Sequence, residues 1–388
     1  MSASPKGKSG WAIVFFAVIF IFPLKALAAK EPVMRVLIGN ENNASFRADG
    51  VKFIFVKGIA SQHSKINSIK LTYNKGEAKY SINKNKDIWF RLPNDFNLTI
   101  RNNDKRGIWF KNRRYAGELR ISLNNQRLQI TNHIKLEKYL KSVVGSEMPK
   151  EFPLAALQAQ AIAARTYALQ LLGKNKFFDV HATQTSQVYL GLEAETPKIN
   201  QAVRSTNSLA LFYKGKLINA VFHSSSGGRT EDSGQVWKYQ LPYLISVNDY
   251  DQNGSRYKWF RKFNSNDFKR VFTDLGGLNS IQVIKKSNSN RVKKVIVYGP
   301  KGNKIISGQD LRKSFNLNST KFDIYLEFNQ VNKERNFNII NYSDDDFNLI
   351  SNNQIEELLI AKPLPSIPGE YFLVIEGFGY GHGVGLSQ

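Results

Sequence analysis

Two polar residues in an otherwise apolar stretch have the types and the spacing for chemistry. The stretch from Leu136 to Leu172 reads LEKYLKSVVGSEMPKEFPLAALQAQAIAARTYALQLL. Glu147 separates two runs of helical periodicity, and Arg165 lies among alanines in the second run. Burying a carboxylate is costly unless the group is paired, hydrogen-bonded or protonated. Glu147 and Arg165 could therefore form a structural ion pair. Alternatively, Glu147 is a general acid with a raised pKa, and Arg165 anchors a substrate carboxylate.

The elements that must position these residues are two helices joined by a short turn. Apolar residues recur at helical spacing from Leu136 to Val144, which predicts a first helix with one apolar face. Gly145 and Pro149 predict the end of that helix. The second run opens at Pro153, which suits a first helical position, and Gly173 is a suitable terminator. Its alanines predict close packing, and hence a buried helix.

Three further motifs follow this stretch in order. They are QVYLG at Gln187–Gly191, FHSSSGGRT at Phe222–Thr230 with VW and LPYLISV after it, and GFGYGHGVGLSQ at Gly377–Gln388. Together with the helix pair they resemble the SpoIID/LytB family, the group of stage II sporulation protein D and the amidase enhancers. Any one motif alone would be a weak signal, so the resemblance depends on their number and order.

The resemblance implies a lytic transglycosylase of peptidoglycan, which cleaves the bond between N-acetylmuramic acid and N-acetylglucosamine without water. The muramic acid 6-hydroxyl attacks internally and leaves a 1,6-anhydro end. One acidic residue serves first as acid and then as base, whereas glycoside hydrolysis uses two carboxylates. In the family this acid is the Glu of the E-M-P motif, here Glu147, and Arg165 matches the supporting arginine. The implied partner is peptidoglycan glycan strands, denuded of their stem peptides.

The later motifs supply candidate substrate-binding residues. A strand is expected to deliver His223 and Ser224 to a loop of small residues, which is a common place for ligand contact and also a common way to turn a corner. Thr230 and Tyr243 match motif positions of the family. The glycines around His382 let the backbone approach a ligand closely. The complete set predicted to bind substrate is His223, Ser224, Ser226, Thr230, Tyr243 and His382.

No cofactor is expected. The chain has no cysteine, which excludes disulfides, cysteine nucleophiles and thiolate metal sites. His181, His223 and His382 could in principle hold zinc. Certain relatives use a cysteine of the histidine loop for zinc, whereas that loop is all serine here. Hydrogen-bonding roles for the histidines are therefore favoured over metal ligation.

The whole pattern predicts an α+β fold, with β-rich lobes around the helix pair and an active-site cleft between the lobes. Short runs of β-branched and aromatic residues predict strands over residues 29–120. Residues 121–388 form the predicted SpoIID/LytB-like catalytic domain, with a polar insertion near 329–353. Within this domain we expect a hairpin at Gly215 and a helix over Phe260–Ser280.

The N-terminus and the charge predict an exported protein. Lysines precede the apolar run Trp11–Leu24, and Ala26-Leu27-Ala28 forms a small-x-small cleavage pattern. Residues 1–28 are therefore predicted to be a signal peptide or an uncleaved anchor, the one segment in contact with a membrane. The formal net charge of +24 predicts attraction to polyanions. No nucleic-acid motif accompanies this charge, so we expect an envelope polymer as partner, in the periplasm or cell envelope.

Two functions from different classes remain open. One is the lytic transglycosylase. The other is a non-catalytic wall-binding enhancer of an N-acetylmuramoyl-L-alanine amidase. Replacing Glu147 with glutamine would abolish the first function and leave the second intact. Family members usually continue past the last motif, so the stop at Gln388 predicts a truncated chain or a missing final helix.

Overall fold

The computed structural model describes residues 30–49, 54–59, 66–83, 88–102, 104–328 and 371–388. All elements named below lie in the unit from Val33 to Gln388. The predicted signal peptide and the predicted polar insertion lie outside the described residues. Over the described ranges, no helix has both the length and the apolar character needed to cross a membrane.

The chain begins with a series of short strands whose side chains alternate between buried and exposed, as a sheet with one covered face requires. The strands are β1 (Val33–Glu41), β2 (Asn43–Arg47), β3 (Phe55–Lys57), β4 (Ser68–Asn74), β5 (Glu77–Ile82), β6 (Phe90–Leu92), β7 (Asn97–Arg101), β8 (Ile108–Phe110), β9 (Arg113–Tyr115), β10 (Glu118–Asn124) and β11 (Arg127–Lys135). This region is β-rich, as predicted.

The predicted helix pair follows directly as α1 (Leu136–Glu147) and α2 (Leu154–Leu171). Two details differ from the prediction. Helix α1 continues through Gly145 and ends at Glu147, and Pro153 is the N-cap of α2 rather than its first residue. A side chain at Gly145 would collide with the carbonyl oxygen of Ala194. The glycine therefore allows close approach of a neighbouring segment and does not end the helix.

The rest of the chain alternates short strands and short helices. They are β12 (Val180–His181), a 3-10 turn (Gly191–Ala194), α3 (Pro197–Ser205), β13 (Phe212–Tyr213), β14 (Lys216–Leu217), β15 (Phe222–His223), α4 (Ser233–Val236), β16 (Lys258–Phe263), α5 (Ser265–Val271), β17 (Ser280–Lys286), β18 (Val292–Gly299), β19 (Gly302–Ser307), α6 (Gly308–Ser314), β20 (Phe322–Phe328), β21 (Tyr371–Phe378) and β22 (Leu386–Ser387).

Two local predictions in this part have different outcomes. The hairpin at Gly215 is confirmed, since β13 and β14 pair antiparallel on either side of it. The helix over Phe260–Ser280 is largely wrong. Phe260 lies in strand β16, and α5 covers only Ser265–Val271, where Asn264 forms a capping box at its start.

The strands form several sheets. The two largest have the orders β12-β1-β11-β10-β7-β3 and β6-β5-β4-β2-β8-β9, and two smaller sheets have the orders β17-β18-β19 and β16-β21-β20. One hydrophobic core joins the two large sheets to α1, α2 and α3. A second core lies among β16–β21, α5 and α6. The paired strands are mostly antiparallel, and helices pack against the sheets around shared cores, which confirms an α+β fold.

The predicted division at residues 120 and 121 falls inside β10. This strand pairs with β7 on one side and with β11 on the other. The division into domains stays a prediction, as do the lobes and the cleft between them. For the site, the important point is that β11 runs without a break into α1, so the first core fixes the start of that helix.

Candidate active site

A cavity of about 770 Å³ opens where the end of α1 meets the loop after β15 and the glycine-rich segment before β22. All four sequence motifs contribute to its lining, through Glu147, Tyr167, Val188, His223 and His382 among others. Glu147 is the only acidic residue among the described residues that line the cavity. The cavity therefore offers one carboxyl group rather than a pair.

Glu147 is half-buried at the last position of α1. Its Oε1 accepts a hydrogen bond of 2.6 Å from the backbone N–H of Val188. Burial raises the pKa of Glu147, and the bond from Val188 opposes this only in part. The carboxyl group therefore holds its proton to higher pH than a solvated glutamate does.

The Q-V-Y motif holds the Val188 N–H in place. The buried Gln187 accepts a hydrogen bond of 3.0 Å from the Tyr139 hydroxyl of α1, and its amide donates to the α2 backbone. On the other side, the Tyr189 hydroxyl donates to Asn132 of β11 at 2.5 Å. The residues before and after Val188 are thus fixed by buried polar contacts, so the N–H that orients Glu147 has little freedom.

His223 and His382 come together because β15 and β22 pair in parallel. His223 Nδ1 lies 3.1 Å from the carbonyl oxygen of Val384, and His382 Nδ1 accepts from the Val384 N–H at 3.0 Å. A carbonyl only accepts, so His223 carries its hydrogen on Nδ1 and leaves Nε2 as an acceptor. The two rings are 5.6 Å apart, and the His382 ring is 5.2 Å from that of Trp237.

Both histidines are neutral at pH 7. Burial, with the nearby charge of Arg291 as a second cause, lowers the pKa of His223 to about 4. Burial and the neighbouring His223 lower the pKa of His382 to about 3. At neutral pH these rings can donate and accept hydrogen bonds, but they carry no charge into the cavity.

Arg165 is placed differently from the prediction, because it does not line the cavity and its ion-pair partner is not Glu147. The side chain is 1% exposed, and its Nε and Nη2 each lie 2.8 Å from the carboxylate of Glu137. Arg165 also donates to the carbonyl of Leu209. Tyr167 stands two residues later, about 200° around the helix, and it is this side chain that lines the cavity. The hypothesis of a structural ion pair between Glu147 and Arg165 is therefore wrong, because Arg165 pairs with Glu137 instead.

The remaining predicted residues divide into two groups. Ser224 lines the cavity together with His223 and His382. Ser226, Thr230 and Tyr243 do not, and each has a local hydrogen bond. The buried Ser226 donates to Asp249 at 2.7 Å, Thr230 Oγ1 accepts from the Val247 N–H at 2.8 Å, and the Tyr243 hydroxyl accepts from the Asn219 N–H at 3.1 Å. These three residues shape the loops behind the cavity.

Several lining residues have no counterpart in the predictions. They are Tyr167, Trp237, Arg256, Arg312 and Tyr380. Tyr167 and Trp237 lie within the A-A-R-T-Y and VW motifs, and Tyr380 lies in G-F-G-Y-G. The motifs therefore identified the segments that line the cavity, but not these three residues. Arg256 and Arg312 lie between motifs, where no pattern singled them out.

Among the described residues, no group of three or more His, Asp or Glu side chains could hold a metal ion. His181 lies in β12, where its ring packs edge-on against Phe178 at 4.7 Å. It does not line the cavity that His223 and His382 share.

Comparison with known proteins finds relatives for the part of the chain that includes Glu147. The family model described as SpoIID, stage II sporulation protein, matches residues 124–213. Stage II sporulation protein D of Bacillus subtilis (strain 168) is 32% identical over 228 residues, which cover 54% of this chain and 65% of that protein. Its counterpart in Bacillus amyloliquefaciens is 34% identical over 49% of this chain and 60% of that protein. The matched part is thus less than two thirds of either relative.

A second kind of relative matches a shorter part of the chain. The amidase enhancer of Bacillus subtilis (strain 168) is 43% identical over 110 residues, which are 28% of this chain and 15% of that protein. The similarity therefore confirms the resemblance to the SpoIID/LytB group.

Proposed function

From the SpoIID match of residues 124–213, we propose that this protein is a lytic transglycosylase that cleaves the glycan strands of peptidoglycan. Glu147 is the acid and base of the reaction. The observation that carries the proposal is the single carboxyl group of the cavity, half-buried, with a raised pKa and a backbone hydrogen bond that orients it.

The chemistry assigns one step to each protonation state of Glu147. The Val188 N–H occupies Oε1, so the acidic hydrogen belongs on Oε2. In the first step this hydrogen passes to the glycosidic oxygen, and the bond from that oxygen to the muramic acid C1 breaks. In the second step the oxygen of the muramic acid 6-hydroxyl bonds to C1, and the Glu147 carboxylate takes the proton of that hydroxyl. Glu147 is then protonated again, and no water is consumed.

The lining supports this assignment over hydrolysis by two carboxylates. Glycoside hydrolysis requires a second carboxylate within about 5–10 Å of the first. The described lining contains no acid besides Glu147. The aromatic rings of Tyr167, Trp237 and Tyr380 are suited to contact with the faces of sugar rings. We propose further that the protein acts outside the cytoplasmic membrane, where peptidoglycan lies.

The test is Glu147→Gln on purified murein sacculi, with mass spectrometry of the released fragments. Glutamine keeps the size of the Glu147 side chain and an oxygen that can accept from the Val188 N–H, but it has no acidic proton to donate. We expect the release of anhydro-ended fragments to fall at least about a hundredfold, the usual scale for a general acid. The matched control is Glu195→Gln, because burial also raises the pKa of Glu195 but this residue does not line the cavity.

A folded Glu147→Gln protein that still releases anhydro ends would refute the proposal. The pH profile gives a second check. The acid must be protonated, so cleavage by the wild type should decline on the alkaline side as the pH passes the raised pKa of Glu147.

The similarity to the amidase enhancer favours a second candidate function, stimulation of an N-acetylmuramoyl-L-alanine amidase through wall binding. It predicts the opposite response to the same variant. Glu147→Gln should then stimulate a purified amidase as well as the wild type does, and neither protein should release anhydro-ended glycan.

A further inference from the structure

Two arginines line the cavity together with Glu147. Arg256 stands before β16, where its Nη1 donates to Ser224 Oγ at 3.1 Å. Its guanidinium carbon lies 4.8 Å from the centre of the Tyr380 ring, in a cation–π contact. These two contacts set the direction of the guanidinium group and leave its other N–H donors available.

Arg312 projects from α6 and is half-buried. Its Nε donates to the carbonyl of Leu317 at 3.2 Å, and this is the only hydrogen bond of its guanidinium group to a described residue. Burial lowers the pKa of Arg312, while the Tyr380 phenol acts in the opposite direction. Tyr380 thus interacts with both arginines, through the cation–π contact with Arg256 and electrostatically with Arg312.

Neither arginine has an ion-pair partner among the described residues. Within the described lining the only acid is Glu147, and among the described residues no ion pair joins it to either arginine. His223 and His382 are neutral at pH 7. With two arginines and one acid, the described lining carries more positive than negative charge. Arg256 is exposed and Arg312 is half-buried. For Arg312, partial burial of a cation without a counterion is unfavourable, and a bound anion would offset that cost.

We propose that Arg256 and Arg312 form an anion subsite that binds the carboxylate of an acidic sugar residue next to the bond that is cleaved. A planar guanidinium presents parallel N–H donors that match the two oxygens of a carboxylate. The inference rests on the proposed function, under which the anion is the lactyl carboxylate of N-acetylmuramic acid. An amide-linked peptide removes that negative charge, so the two arginines select strands on which the carboxylate is free.

The test measures the dissociation constants of N-acetylmuramic acid and of N-acetylglucosamine for the full chain. Each is obtained from an NMR titration. The two sugars share the ring and the N-acetyl group, and only the first has a carboxylate. We expect the wild type to bind N-acetylmuramic acid about tenfold more tightly, as a charge-assisted contact implies. Arg256→Gln and Arg312→Gln should each lose most of this preference and should leave binding of N-acetylglucosamine unchanged.

The matched control is Arg261→Gln. Arg261 is exposed on β16, donates to Asn318 and does not line the cavity, so its variant should keep the full preference. If Arg312→Gln does not fold, Arg312→Lys replaces it. Lysine keeps the charge and loses the planar fork, so part of the preference should disappear.

Equal binding of the two sugars by the wild type would overturn the inference, and so would a preference that survives in both arginine variants. Tighter binding of inorganic phosphate than of N-acetylmuramic acid would overturn the assignment to a carboxylate. The outcome is separable from the proposed function. Anhydro products without a carboxylate preference refute only the anion subsite, and a preference without anhydro products refutes only the transglycosylase.

Discussion

Burial has opposite effects on the acid and on the histidines of the cavity. It raises the pKa of Glu147, which therefore holds its proton to higher pH than a solvated glutamate, and it lowers the pKa values of His223 and His382, which are therefore neutral at pH 7. All three groups therefore tend towards their neutral forms. The charge in the described lining comes from Arg256 and Arg312. One physical cause, the removal of water, thus favours the protonated form of Glu147 and the neutral forms of both histidines. The arginines are then the groups of the lining that can attract an anion.

The histidine pair should make the folded state sensitive to acid. An unfolded histidine has a pKa near 6.5, and the folded values are about 4 for His223 and about 3 for His382. Between these values the unfolded chain binds more protons, so the free energy of unfolding falls as the pH falls below about 6.5. We expect a loss on the order of a few kcal/mol between about pH 7 and pH 4, measured by urea unfolding at each pH.

The variant His382→Gln identifies the source of this loss. It should flatten the dependence on pH, because the residue that would have to be protonated is gone. His133 provides the comparison, since burial lowers its pKa to about 4 away from the cavity. His133→Gln should remove its own share of the pH dependence and leave glycan cleavage unchanged. A His382→Gln protein with the full wild-type slope would contradict the assignment.

At the scale of elements, the Glu137–Arg165 pair fastens α1 to α2. The guanidinium is almost fully buried, and it also donates to the carbonyl of Val203 at the end of α3. Arg165→Gln removes the almost fully buried guanidinium from this pair and should lower the free energy of unfolding by about 3–5 kcal/mol. Arg120→Gln removes an exposed partner of Glu118 and should cost less than about 1 kcal/mol.

Chemical unfolding of both variants at neutral pH provides the measurement. The loss of cleavage by Arg165→Gln should match the loss of folded protein, because the residue lies outside the cavity. A well-folded Arg165→Gln protein with a strongly raised KM would instead restore Arg165 as a substrate anchor.

The helix pair could be predicted from the sequence because its periodicity is local and long. The partner of Arg165 could not, since Glu137 and Arg165 are 28 positions apart and only the packing of α1 on α2 brings them together. The end of α1 was missed for a similar reason. Gly145 looks like a helix breaker in the sequence, whereas the structure uses its missing side chain to let Ala194 approach. The helix predicted from Phe260 failed because β16 pairs with β21, a strand more than a hundred residues away.

The candidate site was predictable to the extent that motifs carry it. Glu147, His223, Ser224 and His382 stand in motifs and do line the cavity. The motif residues Ser226 and Thr230 serve the loops behind it, because a loop of small residues needs internal hydrogen bonds as well as ligand contacts. Arg256 and Arg312 come from segments without any local signal. Their place in the cavity depends on how the second core is assembled, which spacing along the chain does not encode.

At the scale of the whole molecule, charge acts at two ranges. The formal net charge of +24 is spread along the entire chain and attracts any polyanion over roughly one screening length. The two arginines of the cavity act at contact distance, and around the half-buried Arg312 water is partly excluded and salt screens less. Capture of a glycan polymer and recognition of one sugar residue should therefore respond differently to ionic strength.

This difference can be measured with the Glu147→Gln variant, which should bind glycan without consuming it. Between about 0.1 M and 1 M salt the screening length shrinks from about 10 Å to about 3 Å, so the amount that sediments with murein sacculi should fall severalfold. Retention on chitin, a neutral polymer of N-acetylglucosamine, should hardly change. Over the same range the preference for N-acetylmuramic acid over N-acetylglucosamine should fall less steeply than the sedimentation. Salt-independent binding to sacculi would show that the excess of basic residues does not attract the protein to its polymer, and that contacts within the cavity account for capture as well as for recognition.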